Sequence, residues 1–187
     1  MLALLGCFHV LGMNAWWALV PGAIGAAVSA VIEEILFRGI IFRLTERSLG
    51  TWLAIAISAL LFGAIHLPFN KNANLQAGLA IMLEAGIFLA AAFVTTRRLW
   101  FVMGAHFGWN FVEGGVFGAV VSGHMAGGLL KSQAAGPTYL SGGAFGVESS
   151  SVAIAVCLAV ALLLLRYAKL KGRFIAPYWQ RKHVIRR

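Results

Sequence analysis

The 187-residue chain is 60% hydrophobic and only 11% charged, with a mean hydropathy of +0.86. A soluble domain carries roughly 25% charged residues, so this composition excludes a soluble enzyme and a disordered tail. The net charge of +9 does not indicate a nucleic-acid-binding domain, because eight of the 15 Lys and Arg residues lie in residues 166–187. The composition therefore predicts a membrane protein. We expect the lipid bilayer, and no nucleic acid, among its partners.

Hydrophobic windows of about 20 residues, the length that crosses a bilayer, predict an all-α, polytopic transmembrane helix bundle of about six spans. The predicted spans are residues 2–20, 23–43, 51–67, 76–95, 100–121 and 150–168. We interpret residues 1–187 as a single membrane domain that ends in a basic tail, 169–187. The Gly- and Ser-rich segment 122–149 is interpreted as a solvated loop, and its His124 and Glu148 leave a lid or substrate platform as the alternative.

The basic residues predict the orientation of the chain. Alternate threading of the six spans places twelve cations on one side of the membrane and only Lys71 and Lys131 on the other. The twelve are Arg43, Arg47, Arg97, Arg98 and the eight cations of residues 166–187. Because cytoplasmic segments are enriched in Lys and Arg, we expect both termini in the cytoplasm and a multi-pass protein of the plasma membrane.

Three formal charges lie in the middle of the second predicted span. Glu33, Glu34 and Arg38 would together cost on the order of 8–10 kcal/mol in a bilayer if unpaired. Arg38 follows Glu34 by four residues, within ion-pair reach on one helix face, whereas Glu33 points about 140° away from Arg38. Glu33 is therefore our candidate general base. An intramembrane salt bridge that only holds helices together is the alternative.

Two further spans carry polar residues at helical spacing. Phe62 and His66 lie one turn apart near the end of the third span, and His106, Asn110 and Glu113 share one stripe of the fifth span. Carboxylate, imidazole and amide groups from three helices suit water activation and stabilisation of an oxyanion. Neither a His-Glu-x-x-His zinc helix nor a Gly-x-Ser-x-Gly elbow is present in the sequence.

These residues resemble the three motifs of the CPBP intramembrane proteases, the family of CAAX prenyl endopeptidases and of bacteriocin-processing, Abi-type proteins. The resemblance covers about residues 25–120, and Ser141 to Glu148 resembles an extension of some bacterial members. The matching motifs are Glu33-Glu34-Ile-Leu-Phe-Arg38, Phe62-Gly-Ala-Ile-His66 and His106-Phe-Gly-Trp-Asn110.

The resemblance implies an endopeptidase that acts on a membrane-associated peptide or protein. In it, Glu33 and His66 would activate the attacking water, His106 and Asn110 would stabilise the oxyanion, and Arg38 would be structural. Glu34 and Phe62 would support the site.

Some alternatives stay open at the level of sequence. Members of the family are described both as metalloproteases and as metal-free glutamate proteases, and Glu33, His66 and His106 would give zinc three protein ligands plus water. Glu113 is an extra acid that either tunes the site or pairs with Arg38. A proton-coupled transporter would also place Glu and His in its spans, although no inverted repeat supports one. A catalytically inactive membrane scaffold is the third interpretation.

Overall fold

A computed structural model describes residues 1–70, 72–125 and 127–181. Four cations whose side of the membrane the sequence predicts lie outside the described residues: Lys71, Lys182, Arg186 and Arg187. The described part is mostly helical and contains seven α-helices. They are α1 Leu19–Glu34, α2 Arg43–Phe69, α3 Leu75–Ile81, α4 Ile87–Thr96, α5 Leu99–Asn110, α6 Thr138–Ser141 and α7 Ser151–Leu170.

The helical fold predicted from hydropathy is confirmed in outline. Three helical stretches in the described part of the chain are long and apolar enough to cross a membrane: Trp16–Phe69, Leu75–Thr96 and Ser151–Leu170. The first of these contains two of the predicted spans. The count of six spans, which includes residues 2–20, and the cytoplasmic location of the termini are not confirmed.

The predicted first span, residues 2–20, is wrong. Its centre is a strand, β1 Phe8–Met13, which pairs antiparallel with β4 Leu130–Ala134. The segment has a left-handed Gly6 (φ 67°) two residues before the strand begins and a register irregularity between Val10 and Gly12. A partner strand about 120 residues away satisfies its backbone groups, and hydropathy alone cannot report such a non-local pairing.

The segment 122–149 is not simply a solvated loop. Besides β4 and α6, it contains β3 His124–Met125, which pairs with β2 Val120–Val121, and a 3₁₀ turn at Val147–Ser149. The turn leads directly into α7, whose first turn is capped by Ser150: its hydroxyl accepts a hydrogen bond from the Ala153 amide. The fold is therefore a helical bundle with small β-structures at one end.

Three π-helical segments interrupt the α-helical stretches. They are Ile35–Phe42 after α1, Met82–Gly86 between α3 and α4, and Phe111–Val116 after α5. A π turn is wider than an α turn, so it rotates the side chains that follow and changes which carbonyls are paired. Each segment carries one ionisable residue: Arg38, Glu84 and Glu113, respectively.

The chain breaks at Gly50, where hydrophobicity also predicts the boundary between two spans. Gly50 has φ 81° and ψ 171° inside α2, a conformation that favours glycine. A Cβ at this position would lie 2.8 Å from the Pro177 amide nitrogen and 2.9 Å from the Ile175 carbonyl oxygen. The chain beyond α7 thus returns to pack against the break.

An ion pair joins three segments at this end of the bundle. Arg97 Nη1 lies 2.5 Å from Glu46 Oε2, and its Nη2 also donates to the Arg173 carbonyl. Arg181 Nη2 donates to the Arg47 carbonyl at 2.9 Å. Arg47, Arg97 and part of the tail therefore lie at one end of the molecule, as the threading predicts, while the membrane face to which that end belongs stays a prediction.

Candidate active site

Arg38 and Glu34 form a fully buried ion pair at the centre of the bundle. Both side chains have no exposed surface, and Arg38 Nη1 donates to Glu34 Oε1 at 2.9 Å. The other end of the guanidinium donates to the carbonyls of Gly86 (3.0 Å) and Ala85 (3.3 Å), which lie at the end of the second π-helical segment. Arg38 thereby connects the polypeptide after α1 to the start of α4.

Phe62 packs against this pair. Its ring centroid lies 4.5 Å from Arg38 Cζ, close enough for a cation–π interaction, and 5.0 Å from the ring of His66. His66 Nδ1 lies 2.7 Å from the Phe62 carbonyl oxygen. Since a carbonyl only accepts, Nδ1 carries the proton and Nε2 of the neutral ring is left as a base.

His106 is held by the same glutamate that pairs with Arg38. Its Nδ1 lies 3.1 Å from Glu34 Oε1, and the ring is 7% exposed. The carboxylate accepts the Nδ1 proton, so the ring orientation is set and Nε2 is the nitrogen left for other partners. Glu34 thus positions two side chains, Arg38 and His106, through one oxygen atom.

Glu33 and Asn110 complete the set predicted from the sequence. Glu33 is partly buried and does not share the ion pair of its neighbour, and its Oε2 is buried with no hydrogen-bond partner among the described residues. Asn110 Nδ2 donates to Ser29 Oγ at 3.2 Å, which leaves its second amide proton for another acceptor.

A cavity of about 510 Å³ brings these side chains together. Its volume falls within the range of small-molecule and peptide-side-chain pockets. The lining residues that the sequence predicts are Glu33, Phe62, His66, His106 and Asn110. Three helices separated by up to about 80 residues in sequence therefore present their motif residues to a common space.

Two glutamates that sequence reasoning did not place in the site line the same cavity. Glu84 comes from the second π-helical segment and is 2% exposed, while Glu148 comes from the 3₁₀ turn before α7 and is 4% exposed. A charged residue within an apolar span was the available signal for Glu84. The resemblance of Ser141 to Glu148 to a bacterial extension was the signal for Glu148.

Glu113 does not pair with Arg38, which is one of the two roles suggested for it. Arg38 contacts Glu34 instead, and Glu113 lines a second cavity of about 640 Å³ together with Phe8 and Phe117. The α-helical stripe that placed Glu113 beside His106 ends at Asn110, because the third π-helical segment begins at Phe111 and rotates the side chains beyond it.

The described residues do not fit a zinc centre. No group of three His, Cys, Asp or Glu side chains in residues 1–70, 72–125 and 127–181 is arranged to hold a metal ion. Glu33, His66 and His106 share the cavity without forming such a ligand set.

The chain matches the model of a known protein family. The model of the family described as "Type II CAAX prenyl endopeptidase Rce1-like" matches residues 15–112, which is more than half of the chain and includes all three motifs. No curated protein and no solved structure matches the chain.

Proposed function

The chain belongs to the Rce1-like family of type II CAAX prenyl endopeptidases, and from this premise we propose that it is an intramembrane endopeptidase in which Glu33 and His66 activate water. The family makes the chain an integral membrane protein and a protease, with a peptide or protein substrate in a membrane. Our proposal adds a multi-pass protein of the plasma membrane that cleaves a membrane-associated substrate. The observation that supports it best is the convergence of the three motifs on one cavity.

Water activation is assigned to the two groups with unused acceptor atoms. The Glu33 carboxylate removes a proton from water, and the oxygen adds to the carbonyl carbon of the scissile bond. His66 Nε2 orients this water, because its Nδ1 proton is donated to the Phe62 carbonyl. When the tetrahedral intermediate collapses, the C–N bond breaks and the proton held by Glu33 passes to the departing amine.

Oxyanion stabilisation is assigned to His106 and Asn110. The Glu34 carboxylate, 3.1 Å from His106 Nδ1, fixes the orientation of the ring, and an Nε2–H of His106 is the donor that we assign to the oxyanion. Asn110 supplies its second amide proton beside it. Glu34, Arg38 and Phe62 position these groups, and the side chains of Glu34 and Arg38 have no exposed surface.

The experiment uses the full chain purified in detergent with a panel of membrane-associated peptides. Glu33→Gln and His66→Ala are both expected to abolish cleavage while the protein stays folded. His9→Ala is the matched control, since His9 is exposed on β1 and outside the cavity, and it should cleave like the wild type. Cleavage that persists in Glu33→Gln overturns the assignment of the base.

The other function classes give different outcomes in the same preparation. Absence of cleavage together with Glu33-dependent proton flux in liposomes would indicate a proton-coupled transporter. Absence of both would indicate a membrane scaffold. Cleavage that is lost in a strong chelator and restored by zinc would contradict the metal-free route.

A further inference from the structure

The cavity has an unbalanced set of charged residues. Three carboxylates line it, from Glu33, Glu84 and Glu148, and no Lys or Arg is among the described residues of its wall. Arg38 does not neutralise these three carboxylates, because its guanidinium is fully buried and already donates to Glu34 and to two backbone carbonyls. Carboxylates removed from water require a positive partner or a proton.

Ser122 holds the Glu148 carboxylate in place by two hydrogen bonds. Its Oε2 accepts the Ser122 amide proton at 2.6 Å and the Ser122 hydroxyl proton at 2.9 Å. Burial raises the pKa of the Glu148 carboxyl to about 7, against the lowering effect of the Ser122 hydrogen bonds and of His106, and Glu33 raises it further. Glu148 therefore has no Lys or Arg partner among the described residues of the cavity wall.

Glu84 provides a second, independent sign of an unfilled site. The side chain is 2% exposed and lines the same cavity, yet its Oε2 has no hydrogen-bond partner in the described part of the chain. Its Oε1 receives only a weak Sγ–H hydrogen bond from Cys157, at 3.4 Å. Glu113, in the neighbouring cavity, is another acidic residue and supplies no cation.

A metal ion is a poor candidate for the missing charge, because no group of three ligand-type side chains among the described residues is arranged to hold one. An organic cation needs no such coordination sphere, only carboxylates within hydrogen-bond reach. A peptide substrate presents two groups of this kind, a Lys or Arg side chain and a free amino terminus.

We propose that Glu148 and Glu84 form a subsite for a positively charged group of the substrate peptide. The inference rests on the proposed endopeptidase function and specifies its substrate: a peptide with a basic group near the scissile bond. A glutamate in the same position of the peptide would face three carboxylates and be rejected.

The test compares peptides that differ in one residue. Lysine, norleucine and glutamate are placed in turn at each position around the cleavage site, and kcat and KM are measured for each peptide. At one position, lysine should exceed norleucine in kcat/KM by at least about tenfold, the scale of one hydrogen bond to a charged group. N-acetylated and free peptides distinguish a side chain from an amino terminus as the recognised cation.

Variants then assign the preference to the subsite. Glu148→Gln keeps an oxygen that accepts from Ser122 but removes the charge, so the lysine-to-norleucine ratio should fall towards one, mainly through KM. Glu84→Gln should lower the same ratio. Glu46→Gln is the matched control, because Glu46 lies at the Arg97 end of the bundle and outside the cavity, and it should keep the wild-type ratio.

A binding measurement separates this proposal from the proposed function. The lysine and norleucine peptides are titrated into His66→Ala, with and without Glu148→Gln, and their Kd values are compared. Cleavage by the wild type with a ratio near one at every position overturns the subsite and leaves the protease standing. Tighter, Glu148-dependent binding of lysine peptides, together with no cleavage by the wild type, supports the subsite and refutes the protease. Equal Kd values, together with no cleavage by the wild type, refute both.

Discussion

Replacing Arg38 by methionine tests the central ion pair most directly. The substitution removes the 2.9 Å contact to Glu34, two hydrogen bonds to carbonyls and the stacking on Phe62. It leaves Glu34, which has no exposed surface, as an uncompensated carboxylate. Loss of one partner of a buried pair costs about 3–5 kcal/mol. The lower end is expected here, since His106 still contacts Glu34.

The double variant Glu34→Gln/Arg38→Met is the matched comparison. It removes both charges and keeps the side-chain volumes similar, and such replacements are often nearly neutral. We therefore expect the double variant to be more stable than Arg38→Met alone. At roughly 2–4 °C per kcal/mol for a chain of this size, a cost near the lower end, about 3 kcal/mol, should lower the midpoint of the single variant by roughly 6–12 °C.

The assay follows from the two cysteines. Cys7 and Cys157 are both free and buried, so a thiol-reactive dye reports the thermal midpoint of the protein in detergent. An Arg38→Met midpoint within about 2 °C of the wild type would refute the assigned energetic role. A double variant as unstable as the single variant would show that the lost contacts, and not the uncompensated charge, set the cost.

Further predictions concern packing, charge and catalysis. Gly63→Ala should lower the thermal midpoint, because its Cβ would lie 2.4 Å from the Gly78 carbonyl oxygen. Gly104→Ala is the control, since a Cβ there meets no atom within 4 Å and should leave the midpoint unchanged. Equal midpoints for the two variants would contradict this prediction. The lysine-to-norleucine ratio should rise between pH of about 6 and about 8, because burial raises the pKa of Glu148 to about 7 and the carboxyl is charged only above it; a flat ratio would exclude this titration. Asn110→Ala should lower kcat by about 100-fold with little change in KM, and an unchanged kcat would remove Asn110 from the oxyanion site.

Local sequence was sufficient for the features that depend on one helix. The spacing of Glu34 and Arg38 predicts their contact, and the structure forms it, because residues four apart on a helix are neighbours whatever surrounds them. The boundary at Gly50 and the apolar helices follow from composition in the same way. The roles of Glu33, His66, His106 and Asn110 stay predictions, although one cavity contains all four.

Long-range contacts decided the rest. Residues 8–13 are as apolar as a span, yet they form a strand because β4 lies beside them. The π-helical segment after Asn110 turned Glu113 away from the stripe that an α-helix predicts. Glu148 entered the cavity through hydrogen bonds from Ser122, 26 residues earlier. Helical periodicity describes neighbours along one element. Each of these outcomes instead depends on which other element satisfies a backbone group or a buried charge, and only the packed fold sets that partner.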